Sequence, residues 1–146
     1  MNPMFAYLCL GANDLARSAA FYDAVLGVLG YGRCDTSGES DASWDGWVGW
    51  GRYEQAGVVQ HALWICRPFD GRPATAGNGS MVALWAKNWR QVREFHAAAL
   101  SHGGTSEGDP GLRLQYNPDF YAAYVRDPAG NKLAVVCRGF TAEAGQ

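Results

Sequence analysis

Two stretches of this chain repeat the same rhythm of apolar and polar positions. Each opens on a short apolar run, passes a small polar residue, continues with apolar residues at helical spacing and closes on glycine. In the first, Phe5 to Gly11 reads as a strand and Asn13 or Asp14 supplies a helix cap. Leu15, Ala19, Phe21, Tyr22, Val25, Leu26 and Leu29 mark one face of a helix over 14–29, which Gly30 and Gly32 end. In the second, Ser80 to Ala86 is the strand and Asn88 the cap. Trp89, Val92, Phe95, His96, Ala99 and Leu100 form the helical face, and Gly103-Gly104 ends that helix after His102.

Further strands are predicted after each helix. The first set is Tyr31 to Thr36, Trp44 to Tyr53 and Val58 to Arg67, with a polar loop at 37–41. The glycines among Trp47, Trp50 and Tyr53 suggest a bulge or a close backbone approach. The second set is Thr105 to Tyr116, interrupted by Pro110-Gly111, then Phe120 to Arg126 and Lys132 to Cys137. Asp127-Pro128-Ala129-Gly130-Asn131 is turn chemistry. Pro68 to Gly79 has the composition of a linker, and the tail to Gln146 is small and polar.

The two halves align. Phe21 to Leu26 matches Phe95 to Leu100 at an offset of 74, and Ile65-Cys66-Arg67 matches Val136-Cys137-Arg138 at an offset of 71. Two βαβββ modules describe this economically. The expected fold class is α+β, with the modules forming a curved, partly open mixed sheet around a central cavity. Residues 1–146 make one domain: module one about 4–68, a linker 69–79 and module two about 80–139.

Composition changes the picture in only a few places. The net charge of −2 comes without a Lys/Arg cluster, so nucleic-acid binding lacks its electrostatic footprint. No apolar run approaches a membrane span, and Met1-Asn2-Pro3-Met4 lacks the basic region of a signal peptide, so a cytoplasmic location is expected. Cys9, Cys34, Cys66 and Cys137 form no CxxC pair and read as small buried hydrophobes. Six Trp and seven Tyr are many for this length. A sheet core accounts for most of them, and an aromatic-lined pocket is the sharper alternative.

Three stretches carry a family resemblance: Leu10 to Tyr22, Gly77 to Ala83 and Tyr124 to Lys132. The pairing of Asp14-Leu15-Ala16-Arg17-Ser18 and Phe21-Tyr22 with Asp127-Pro128-Ala129-Gly130-Asn131-Lys132 resembles the vicinal oxygen chelate superfamily, the glyoxalase/bleomycin resistance/dioxygenase group. The resemblance implies a cavity that, in the family's enzymes, holds a divalent metal on His, Gln or Glu ligands. It places those positions at Tyr7, near Leu63, at Met81 and at Ala134. None of these suits a hard or borderline divalent ion, because thioether selects soft ions and Leu and Ala have no donor. No metal and no cofactor are therefore expected. Relocated ligands would have to come from His61, His96 or His102; His61 shares strand parity with Leu63, whereas the other two belong to the second helix.

Cavity candidates follow from strand alternation and from the implied register: Tyr7, Cys9, Met81 and Ala134, with Trp50, Leu63, Trp64, Trp85, Tyr116, Tyr121 and Tyr124 as walls. Arg113 and Arg126 would anchor an anion if they faced inward; a solvated sheet edge explains both as well. Two functions fit. One is a metal-free protein that binds a small aromatic or planar molecule, with no catalytic residue required. The other is a lyase or dioxygenase-type enzyme with relocated ligands, or with Tyr7, Tyr124 or Cys9 as acid, base or nucleophile. The resemblance also implies a homodimer.

Overall fold

The computed structural model describes residues 4–36, 46–54 and 60–139. The loop expected at 37–41, the first residues of the strands expected from Trp44 and Val58, and the tail beyond Gly139 lie outside the described residues.

Both helices form where their caps predict. Helix α1 (Leu15–Val28) starts behind Asp14, whose carboxylate accepts the Arg17 backbone N–H at 3.1 Å. Helix α2 (Trp89–Ser101) starts behind Asn88, whose side-chain oxygen accepts the Gln91 N–H at 2.8 Å. Just past them, Gly30 and Gly103 each take φ of +90°, the left-handed geometry that releases a chain from a helix.

The strands form two sheets. Strands β1 (Tyr7–Gly11), β2 (Trp47–Tyr53) and β3 (Gln60–Cys66) pair in the order β1-β3-β2, with β1 parallel to β3. Strands β4 (Val82–Trp85), β5 (Thr105–Leu112), β6 (Tyr121–Arg126) and β7 (Lys132–Cys137) pair in the order β4-β7-β6-β5, with β4 parallel to β7. The architecture is α+β: two helices on two mixed sheets, open rather than closed. The one curved sheet that the repeat predicts is resolved into two, with no ladder joining β1 to β4.

Three further details depart from the sequence reading. Residues 31–36 contribute a single bridge, Arg33 to Trp50, instead of a strand. Two backbone bonds flank that bridge, Cys34 N–H to Gly49 O at 2.8 Å and Gly51 N–H to Gly32 O at 3.1 Å, and the Arg33 guanidinium grips the Asp23 carboxylate of α1 in two bonds of 2.9 and 2.8 Å, which ties the segment to the helix as well. Second, Pro110-Gly111 does not break β5. The strand runs through with register shifts between Ser106 and Gly108 and between Gly108 and Gly111, as bulges do. Third, the repeat in the last strand is offset by 70, not 71. Cys9 pairs with Trp64 as Ala83 pairs with Ala134, so Trp64 occupies the place of Ala134. A slip of one residue exchanges the faces of a strand, and it turns Leu63 into the core.

That core is continuous across both halves. Leu63 and Ile65 of β3, Val125 of β6, and Leu133 and Val135 of β7 pack against Phe21, Tyr22, Val25, Val92, Phe95 and Ala99 of the helices. α1 and α2 also pack on one another. Each sheet therefore has one face under helices and an outer face on the other side, set by alternation along every strand.

The paired motifs that signal the family form a latch between the halves. Asp127 is buried and accepts four hydrogen bonds: Tyr22 Oη at 2.6 Å, the Ala129 and Asn131 backbone N–H groups at 2.9 Å each, and Asn131 Nδ2 at 2.9 Å. Asn131 Nδ2 also donates to Gly11 O at 3.0 Å. A buried carboxylate is tolerated when its acceptor capacity is filled in this way. These residues hold the first helix and first strand to the last turn; they mark the fold and not the chemistry.

Candidate functional site

The expected cavity residues do not converge on one cavity. Most of them divide among three depressions. The first is an apolar groove of about 480 Å³ at the open end of sheet one, beside the β4 edge of sheet two. Tyr7, Trp50, Leu63 and Trp85 line it together with Phe5 and Tyr31, and His61 and Arg52 supply its polar side chains. Trp50 is fixed there. It is 1% exposed, its ring lies 5.4 Å from Tyr22, and its indole N–H donates to Asp23 Oδ1 at 2.9 Å. The Arg33 bond holds the Asp23 carboxyl below its ordinary pKa despite partial burial, so the anchor stays ionised. Trp85, at 72% exposure, and Tyr7, at 54%, form walls open to solvent.

The second depression, about 570 Å³, lies on the outer face of sheet two and takes in Met81, Tyr116 and Tyr124. Ala134 sits beneath it, paired across the ladder with Tyr124 and buried with Ala122 and Val136. The third, about 350 Å³, contains Cys9 and Cys66 on the outer face of sheet one.

Two aromatic candidates reach none of the three. Trp64 lies flat over Gly49 on the outer face of sheet one, with Trp47 and Tyr53 edge-on at 6.4 and 5.6 Å. A Cβ on Gly49 would collide with its six-membered ring, so the glycine in this strand is what gives Trp64 its place. Tyr121 stacks on Trp89 at 4.2 Å with the rings within 6° of parallel, filling the space between sheet two and α2. Leu63 reaches the groove only from the core side, as the shifted register requires.

The donor chemistry does not fit a divalent metal. In the true register the family positions carry Tyr7, Trp64, Met81 and Ala134, and among the described residues no three His, Cys, Asp or Glu side chains gather. His96 is buried on α2 against Ser106 Oγ at 2.9 Å, and His102 Nδ1 meets Ala98 O at 2.8 Å. His61 stands at the groove wall with no carboxylate among the described residues that line it. Nor are Cys9 and Tyr124 activated as acid–base groups. Burial, and then the neighbouring Cys66 thiol, raise the pKa of Cys9. Burial and Tyr116 raise that of the Tyr124 hydroxyl against the pull of Arg113. Both groups are thereby held in their neutral forms at ordinary pH.

The signal that sequence reasoning missed was the contribution of Phe5 and Tyr31, aromatic residues flanking β1 and α1 that continue the groove wall. Their placement next to a predicted strand end and a helix-ending glycine was the available clue.

No helix among the described residues is long and apolar enough to cross a membrane. None of the curated protein sequences matches the chain. Among solved structures it is similar to a glyoxalase/bleomycin resistance protein from Albidiferax ferrireducens T118, with 37% identity, a TM-score of 0.74 and coverage of 94% of this chain and 100% of that one. It also resembles a lactoylglutathione lyase from Agrobacterium tumefaciens, at 20% identity and TM-score 0.58 over 94% and 96% of the two chains. A fosfomycin resistance protein from Listeria monocytogenes, solved with Mn(II) and 1S,2S-dihydroxypropylphosphonic acid, aligns over 99% and 97% at 14% identity and TM-score 0.64. The last two likenesses concern the fold. The family model for the Glyoxalase/Bleomycin resistance protein/Dioxygenase superfamily matches residues 4–135, and the chain belongs to that superfamily.

Proposed function

We propose that this protein binds a small aromatic or planar molecule in the apolar groove without the help of a metal. The observation that carries this reading is the groove itself. Its volume of about 480 Å³ suits a small molecule, and its lining is aromatic and apolar apart from Arg52 and His61. A planar ligand would lie between the outer rings of Tyr7 and Trp85, over a floor that includes the buried Trp50, which the Asp23 bond already orients. That floor requires little ordering on binding. His61 and Arg52 can donate hydrogen bonds to a polar edge. No step of bond making or breaking is needed.

The family's metal-dependent chemistry finds poor support in Tyr7, Trp64, Met81 and Ala134. The alternative, a lyase or dioxygenase-type enzyme, would need donors that these positions do not supply. Four free thiols, two of them neighbours in one depression, fit a reducing compartment, in line with a cytoplasmic location.

Indole, a neutral planar probe, tests the reading. It is expected to raise the melting temperature in a saturable way, approaching about 2.7 kcal/mol of stabilisation at a hundredfold excess over its Kd. Trp85→Ala, at an exposed position, should abolish the shift while leaving the protein folded. Absence of a shift with indole would sink the proposal, as would one or more tightly bound metal ions per chain in protein purified without chelators.

A further inference from the structure

We infer that Cys9 and Cys66 form a site, distinct from the groove, that holds one soft monovalent cation of the Cu(I) type between their two sulfurs. Its mouth is the depression of about 350 Å³ on the outer face of sheet one. Tyr7, Met81 and Ala134 take no part in it.

The ladder brings the thiols together. Cys9 pairs with Trp64 and Gly11 with Cys66, so alternation puts both sulfurs on one face, two positions apart along neighbouring strands. The two side chains meet in a hydrogen bond. Trp64, level with Cys9, lies over Gly49 on the β2 side and leaves the space between β1 and β3 to the sulfurs. Beside Cys66 stands Gly11, where a Cβ would come within 2.9 Å of the Ala74 methyl. The chain at Ala74 thus rests on the strand end and, with Pro68 and Pro73, walls the depression. Asn13 fastens that wall, donating from Nδ2 to Ala74 O at 3.1 Å and accepting the Ala74 N–H at 2.7 Å. Cys9 is exposed and Cys66 buried, so the pair has one open side.

Donor type and number select the ion. Among the described residues no third His, Cys, Asp or Glu gathers with the pair. The Asp70 carboxylate in the lining is a hard donor, and it accepts the Arg72 N–H at 2.9 Å. Zinc wants a tetrahedral set, and calcium and magnesium want oxygen shells; a soft monovalent ion is satisfied by two thiolates. In the depression of sheet two, Arg113, Lys132 and Arg138 make the lining basic, whereas no Lys or Arg lines this one, so a cation meets no repulsion there.

Geometry favours an ion over a disulfide. Strands about 4.8 Å apart, rising about 3.3 Å per residue, put Cα atoms in this diagonal relation about 8 Å apart. A disulfide joins Cα atoms about 4.4–6.8 Å apart, so closing one would drag the strands. Metal–thiolate bonds of about 2.3 Å, as for zinc, let the sulfurs stay about 4.6 Å apart. Burial raises the pKa of both thiols, and the empty site is neutral. On binding, two S–H bonds break, two metal–sulfur bonds form and two protons pass to solvent; no electron is transferred.

Anaerobic equilibrium dialysis against Cu(I), supplied as its bicinchoninate complex, followed by metal analysis tests the assignment. The protein is taken from copper-poor medium and reduced beforehand, so that it starts empty with its thiols free. One copper per chain is expected, and Zn(II) should be held about a hundredfold or more weakly. Cys9→Ser, at an exposed position, should weaken Cu(I) by about a hundredfold or more. Cys34→Ser, and Trp85→Ala in the groove, should leave it unaffected. X-ray absorption of the loaded protein should show two sulfur neighbours around the copper. The assignment fails if the dialysed protein holds no copper, if Zn(II) is retained equally, or if Cys9→Ser binds Cu(I) as the parent does. It fails equally if Cys34→Ser or Trp85→Ala removes the binding, since either would place the ion elsewhere. Circular dichroism of each variant establishes that it is folded before it is dialysed.

Discussion

Asp127 shows what a single residue does here. Its carboxylate is buried with four donors around it, and Tyr22 is the one that comes from the other half of the chain. Tyr22→Phe fills the same space and removes that donor alone. A hydrogen bond to a charged group is worth about 1.5–3 kcal/mol, so the urea midpoint should fall by the corresponding amount with no change in slope. An unchanged midpoint would mean that the turn holds Asp127 unaided. The identity of this latch was readable in the sequence as a pair of motifs, but its partners were not, because nothing local says that residues 105 apart are joined by a hydrogen bond. The poor ligands Tyr7, Met81 and Ala134 were equally readable, since side-chain chemistry needs no fold. Where each of them points did need the fold: Tyr7 opens on the groove, Met81 on the basic depression, and Ala134 is buried beneath the latter.

Elements were legible in proportion to how local their signals are. Both helices follow from caps and spacing, Asp14 and Asn88 included. The segment 31–36 was read as a strand from its residue types, yet the Arg33–Asp23 bond ties it to α1. The resemblance of Ile65-Cys66-Arg67 to Val136-Cys137-Arg138 suggested a register that the ladder does not adopt, and one residue sufficed to exchange Leu63 and Trp64 between faces. Trp64 in its actual place explains Gly49 of β2. Gly49→Ala would thrust a methyl into that ring and should destabilise by about 1–3 kcal/mol, with a changed near-ultraviolet circular dichroism from Trp47, Tyr53 and Trp64. Gly27→Ala is the contrast. It lies in α1 with no atom near its would-be Cβ, and is expected to stabilise by about 0.5–1 kcal/mol. If both substitutions have the same sign, the account of Gly49 is wrong.

At the scale of the molecule, the repeat predicted two modules and an open arrangement, and both sheets bear this out. What it did not convey is that the halves have diverged in how their outer faces are used. Sheet one covers its own with Trp64; sheet two leaves its face open and basic. Along the seam between β1 and β4, Phe5, Tyr7, Met81 and Trp85 all remain substantially exposed. Exposed large apolar side chains favour a partner surface. Together with the resemblance, they lead us to expect a homodimer. Sedimentation equilibrium at micromolar concentration should give twice the chain mass of 15.8 kDa, and a monomer there would refute this.

The Asp127 latch has a consequence for the order in which the protein can be made. Gly11 and Tyr22 emerge from the ribosome early, but the residues that satisfy them come 120 and 105 positions later. Until they arrive, the first half has a sheet edge and a helix whose partners have not yet been synthesised. Contacts of such long range close late, and the loop entropy they must overcome is large. The nascent first half is thus a waiting structure, secured only once the Asp127 turn has been made, and a chain cut short just before Asp127 would lack both that fastening and β7, the strand that joins β4 to β6.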